Sequence, residues 1–186
     1  MLRAAVLTLC LAWASPGVAD QPLLRPSRDV DVTYRAAALQ GGREVEQRVR
    51  WLAASQIMRI DPPSPSLHVI VDYVARRMSV VRDATRSVVE MAAPDNMANL
   101  LGGEAASAFV RRGEATVAGR ACVEWLTQDR GAHPALVCIT DDGVLLRAGT
   151  AEQVRVSAVS VQYAPQDPEA FRVPVDYVRL APGAAR

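Results

Sequence analysis

Few side chains in this 186-residue chain are spaced for catalysis. It has two histidines, His68 and His133, and three cysteines, Cys10, Cys122 and Cys138. His68 shares the phase of Ile70 and Asp72, which the pattern puts on the wet side of a strand, and His133 precedes Pro134 in a loop. Both read as surface histidines rather than acid–base groups. No GxSxG, HExxH or GxGxxG word occurs. Asp141-Asp142-Gly143 has residue types suited to a paired carboxylate or a calcium ion, but no Asp or Glu follows at ligand spacing, so it reads as a turn. All 21 basic side chains are Arg, which excludes a P-loop lysine or a Schiff base. The expectation is a protein that is not an enzyme and holds no cofactor and no metal.

Binding chemistry is better represented. In Arg76-Arg77 and Arg111-Arg112, neighbouring strand residues point to opposite faces, so one of each pair can aim inward. An inward guanidinium would hold a carboxylate or phosphate head group through its fork of donors. The plainer reading is a bias of the whole chain toward Arg. Trp51 and Trp125 fall on apolar strand faces, where they either fill a core or line an apolar pocket.

The N-terminus is laid out as a secretory signal. Arg3 precedes an apolar run, Ala4 to Ala14, broken only by Thr8, and Ser15-Pro16-Gly17-Val18-Ala19 supplies small residues for cleavage before Asp20. The run is shorter than the roughly 20 apolar residues of a membrane span. Leu9 stands before Cys10 where a lipid-attachment signal needs a small residue, which argues against lipidation. Loss of residues 1–19 removes Arg3 and Cys10, so the two charge signs balance and one cysteine pair remains. An even pair in an exported chain reads as a disulfide, Cys122–Cys138, closing a loop of about 17 residues. Its rival, a metal site of Cys122, His133 and Cys138, has three ligands only and no CxxC or HxxxH spacing. The expected location is the periplasm, with no integral membrane span. Neutral charge excludes a basic nucleic-acid binder.

The elements that must position these groups are strands. Residues 20–27, with two prolines, form an N-terminal arm. Period-two alternation then begins with Val30, Val32 and Tyr34 and resumes after Gly41-Gly42 with Val45, Val49 and Trp51 opposite Glu44, Glu46, Arg48 and Arg50. Further strands are expected at 56–60, 67–73, 77–82, 86–91, 109–118, 120–128, 134–140, 144–148 and 153–163, with a terminal strand or coil at 175–180. In 153–163 the apolar phase changes from Val154 and Val156 to Val159, Val161 and Tyr163, which predicts a bulge near Ser157-Ala158. Asp95 caps the one internal helix, Asn96 to Leu101, with Met97, Leu100 and Leu101 on one face. A short helical turn is expected at Asp167 to Phe171. Residues 28–180 form one mainly β domain, followed by a tail, 181–186.

The run from Gly113 to Trp125 containing Val117-Ala118-Gly119, Cys122 and Trp125, then Val137-Cys138-Ile139-Thr140-Asp141-Asp142-Gly143-Val144-Leu145-Leu146-Arg147, then Phe171-Arg172-Val173-Pro174-Val175-Asp176-Tyr177, resembles a family of small proteobacterial exported proteins of unknown function. That family in turn resembles the LolA/LolB-like lipoprotein-carrier superfamily. The resemblance is carried by residues 109–180, and by strand pattern alone over 28–92. It implies a half-barrel, a strongly curved antiparallel sheet of about 10–11 strands whose concave face is closed by a short helical lid. Met97, Leu100 and Leu101 would form that lid. An exported binding or chaperone-like protein would hold a lipid or acyl chain between lid and sheet against Trp51 and Trp125. The alternative is a structural or interaction module with a filled core, no ligand and an envelope protein as partner.

Overall fold

The computed structural model describes residues 21–37, 43–94, 108–128 and 133–181. The expected signal segment 1–19, the expected helix with Met97, Leu100 and Leu101, and all of the expected tail 181–186 but its first residue lie outside the described residues.

Twelve strands are present among the described residues: β1 (Val30–Ala36), β2 (Val45–Leu52), β3 (Ile57–Asp61), β4 (Leu67–Asp72), β5 (Arg77–Arg82), β6 (Ser87–Ala92), β7 (Val110–Val117), β8 (Arg120–Gln128), β9 (Pro134–Ile139), β10 (Leu145–Gly149), β11 (Val154–Gln162) and β12 (Val178–Leu180). They form one curved, unclosed sheet in the order β12-β6-β5-β4-β3-β2-β1-β11-β10-β9-β8-β7. Two antiparallel meanders, β1 to β6 and β7 to β11, are joined by β1 pairing with β11. β7 bends back far enough to touch β11.

One pair departs from the expected antiparallel pattern. β12 runs parallel to β6, with Val178 opposite Ser87 and Leu180 opposite Val89. Parallel pairing needs a long crossover. Here β7 to β11 lie between the two strands in sequence, and the strap from Tyr163 to Tyr177 completes the return, leaving β11 in mid-sheet and ending at the far edge. The strap contains a 3-10 turn, Pro168–Phe171, whose first amides are capped by the Asp167 side chain accepting from Glu169 N (3.0 Å).

Most of the core lies on one face, called inner here. Register partners connect it across the sheet: Met58 faces Trp51, Trp51 faces Val30, Val32 faces Val161, Ala36 faces Val156, Val156 faces Ala148, Ala148 faces Val137 and Val137 faces Trp125. The phase change in β11 is a bulge, as its pattern predicts. Thr33 pairs with Ser160 and Tyr34 with Ala158, so Val159 is the extra residue and points to solvent. Val156, Ala158 and Val161 therefore all reach the core.

Tyr34 is fully buried, and its hydroxyl donates to the Leu145 carbonyl across the intervening β11. Burial pushes the Tyr34 hydroxyl pKa up, so it stays a donor. Tyr34→Phe should cost about 1 kcal/mol, the net worth of one buried hydrogen bond, in a urea denaturation. An unchanged midpoint would mean that the bond contributes nothing.

The outer face is wet over β1 and β2, where Asp31 takes Arg48 Nε at 2.9 Å and Glu46 takes Arg35 at 3.3 Å. It is not wet over β4. His68 and Ile70, expected to face water, are 6% and 3% exposed. The period-two pattern of β4 places them correctly on the face opposite Val69 and Val71, but the strap covers that face, with Phe171 buried beneath it.

Candidate functional site

The inner face has two aromatic stations joined by the N-terminal arm. At the first, Trp125 on β8 is buried and meets Phe109 edge-on at 6.4 Å. Trp125, Val123 and Ile139 floor a cavity of about 140 Å³ that Arg111 borders from β7 and Leu23 from the arm. Arg111 sits directly opposite Trp125 in the strand register, and Arg112 is the residue left over at a bulge between Arg111 and Gly113. Of the arginine pairs read in the sequence, 111-112 does send one guanidinium to the inner face. The 76-77 pair does not: Arg76 occupies a turn with φ of 52°, and Arg77 faces outward.

At the second station Trp51 packs against Tyr73, with ring centroids 5.7 Å apart. Arg25 of the arm lies over the Tyr73 ring at 4.6 Å and donates to Gln56 Oε1 at 3.0 Å. Trp51 is 2% exposed, so it fills core here. The Trp51 indole N–H and the Tyr73 hydroxyl are nonetheless buried without a hydrogen-bond partner among the described residues. Two such groups side by side are costly unless an acceptor reaches them. The sequence marked Trp51 but missed Tyr73, whose phase with Leu67, Val69 and Val71 is its only signal.

The arm is held by the 141–143 turn. Ser27 N donates to the Asp142 carbonyl at 2.8 Å, and Arg28 Nε to the Asp142 carboxylate at 2.7 Å. Gly143 has φ of 90°, and a Cβ there would stand 2.2 Å from the Arg25 carbonyl oxygen, so only glycine lets the arm pass. Asp142 also accepts from Thr140 and from the Tyr163 hydroxyl at 3.0 Å, while Arg28 and Arg120 both lie over the Tyr163 ring. These contacts bind arm, turn and sheet together. Among the described residues no cluster of three or more His, Cys, Asp or Glu could hold a metal. Cys122 and Cys138 form a disulfide with Cα atoms 5.5 Å apart, across neighbouring β8 and β9.

His68 Nδ1 lies 3.2 Å from Asp83, which accepts from Tyr177 OH at 3.0 Å. Burial first, and then the Arg59 guanidinium, push the His68 pKa below the usual histidine value. The group is neutral near pH 7 and is shut beneath the strap, where it stands against Asp83, the residue that docks Tyr177. His133 is exposed at the start of β9. Met97, Leu100 and Leu101 lie outside the described residues.

No helix among the described residues is long and apolar enough to cross a membrane. No protein-family model matches the chain, and no curated protein matches it. Solved structures do. An uncharacterized conserved protein from Thermus thermophilus aligns with TM-score 0.57 and 14% identity over 83% of this chain and 91% of that one. A chain of the Pseudomonas aeruginosa MucA/MucB complex aligns with TM-score 0.52 and 16% identity over 80% of this chain and 56% of that one, so the match spans little more than half of that neighbour. A LolA superfamily protein from Nitrosomonas europaea overlaps more loosely, with TM-score 0.36 and 10% identity over 81% of this chain and 93% of that one. At such identities the likeness is one of fold: this chain has the curved, unclosed β-sheet of the Thermus and Pseudomonas proteins.

Proposed function

We propose that this protein is an exported binding module of the cell envelope whose inner face takes an apolar ligand with an acidic head. The observation that carries the reading is the cavity between β7, β8 and the arm, with Trp125 in its floor and Arg111 at its border. An apolar floor beside one guanidinium suits an acyl chain that ends in a carboxylate or phosphate, which would compete with Glu114, the carboxylate that Arg111 holds at 2.8 Å. Its 140 Å³ is below the roughly 300–1,000 Å³ of a pocket that encloses a whole ligand, so it holds one end of the chain. Met97, Leu100 and Leu101 would cover the rest as a lid, and Trp51 with Tyr73 would offer two donors to a polar group farther along the face.

Native mass spectrometry with lipid extraction, on protein recovered from a bacterial periplasm, tests this directly. The mature chain should begin at Asp20 and carry a bound amphiphile. In titrations followed by tryptophan fluorescence, Arg111→Ala should weaken palmitate about tenfold, since a charge-assisted hydrogen bond is worth roughly 1.5–3 kcal/mol, and leave the corresponding alcohol unchanged. An empty periplasmic protein that also takes up no acyl chain overturns the proposal.

A second reading has its own support. β7 is an edge strand with Val110 exposed and Arg111, the next residue, at the border of the same cavity, so a partner's strand could pair with β7 and seat one side chain against Trp125. Co-purification of an envelope protein lost on a Val110→Pro substitution, with no lipid present, would favour it.

A further inference from the structure

The outer face carries a cavity of its own, about 240 Å³, roofed by the strap and floored by β3 to β6. Ile70 and Phe171 form its apolar walls, and both are buried. Ser79, 2% exposed, adds one hydroxyl. Three arginines line it: Arg172 of the strap is held by Glu169 at 3.0 Å, while Arg77 from β5 and Arg179 from β12 stand at the rim, each about half exposed. The two at the rim share a single carboxylate at long range, with Glu90 Oε1 4.0 Å from Arg77 Nε and 3.5 Å from Arg179 Nε. A seated guanidinium–carboxylate bond is about 2.7–2.9 Å, so Glu90 engages neither fork. Asp72 also lines the cavity as a second carboxylate, opposite Arg77 in the strand register, with its Oδ1 accepting from Ala75 N at 2.7 Å.

We propose that this cavity is a second binding site, separate from the inner face, for a small organic anion with a compact apolar body. Apolar walls take the body by area burial, and the two arginine forks take a planar carboxylate that displaces Glu90 from between them. The volume limits the occupant to a ring or branched chain plus a short acid, since it lies under the range of drug-sized sites. Such chemistry is offered by a free aromatic acid and by the last residue of a peptide ending in Phe. The position of Arg179 on β12 and of Phe171 in the strap means that occupancy clamps the parallel edge strand to the sheet.

The probes are 3-phenylpropionate, its neutral amide and a short peptide ending in Phe, titrated into the isotope-labelled mature protein and followed by amide NMR shifts. The acid should bind with shifts confined to β4 to β6, β12 and the strap, while Trp51 and Trp125 stay unmoved. The amide should bind about tenfold more weakly, as should the acid to the Arg77→Ala/Arg179→Ala double variant. Glu90→Gln should tighten the acid by roughly two- to fivefold, because it removes the competing carboxylate, and a merely structural role for Glu90 would not do that. Binding of the peptide more tightly than the free acid identifies the source as a chain terminus, and the reverse order identifies a free acid. Equal binding of acid and amide, shifts centred on the inner face, or no binding of either acid overturns the proposal.

Discussion

Reducing the Cys122–Cys138 bridge is expected to lower the stability of the folded chain by about 3 kcal/mol. The two cysteines are 16 residues apart in sequence, and a loop of that length loses roughly this much chain entropy in the unfolded state when closed. For a domain of this size 3 kcal/mol corresponds to a fall of about 6–12 °C in Tm. Thermal unfolding with and without reductant measures it, and Cys122→Ala/Cys138→Ala should give a similar loss in both conditions. The bridge is buried and joins β8 to β9, the strands that carry Trp125 and its neighbour Val137. Loosening that pair should also weaken whatever occupies the cavity at Trp125. A Tm unmoved by reductant, with both thiols then titratable, would show that the sheet alone holds these strands.

The pairing was legible from count and context, since a chain read as exported keeps two cysteines once residues 1–19 are removed, which leaves one choice. Much of the fold was legible for a similar reason: inward and outward residues alternate strictly in β1 and β2, and the phase change in β11 marked its own bulge. What stayed hidden was the cover on the outer face. His68 and Ile70 alternate in β4 just as a half-wet strand would, and no local pattern says that Phe171, about a hundred residues later, will fold over them. The same gap hid the outer cavity, because Arg77 and Arg179 lie far apart in sequence and meet only through the parallel β12–β6 pair. On the inner face the sequence marked Trp125 and Arg111, which the register brings together, and Trp51, which it keeps in the core. Tyr73 acquires meaning only from its hydroxyl, buried without a partner among the described residues, next to the Trp51 indole, a fact of packing rather than of pattern.

Asp61→Ala should be the most damaging single polar substitution among those the structure suggests, at about 2–3 kcal/mol, the worth of a hydrogen bond to a charged group plus the guanidiniums it leaves unpaired. Arg50 and Arg59 both donate to Asp61 at 2.8 Å, and all three side chains are no more than one-quarter exposed. Arg59 also donates to the Ala170 carbonyl at 2.7 Å, and Arg50 lies over the Phe171 ring, so the same network fastens the strap. Burial by itself would raise the Asp61 pKa, but hydrogen bonds from Arg59 and Arg50 outweigh it and hold the carboxyl below its usual value. Because the folded value is the lower one, this contribution is fully present above the unfolded value near pH 4 and disappears as pH falls through the folded value. His68 acts in a different window. Its folded pKa is also depressed, so below about pH 6.5 the unfolded chain takes up a proton that the folded chain resists, and stability declines from there. Wild-type protein should therefore lose stability in two acid steps. Asp61→Ala should shrink the lower step, leaving the part that the likewise depressed Asp142 carboxyl contributes, and deepen the upper one, since Asp61 helps to offset the Arg59 charge that disfavours a protonated His68. Urea midpoints from pH 8 to pH 3, with the His68 pKa followed by NMR, separate the two steps. A His68 pKa that rises in the variant would refute the assignment of Arg59 as the group that lowers it.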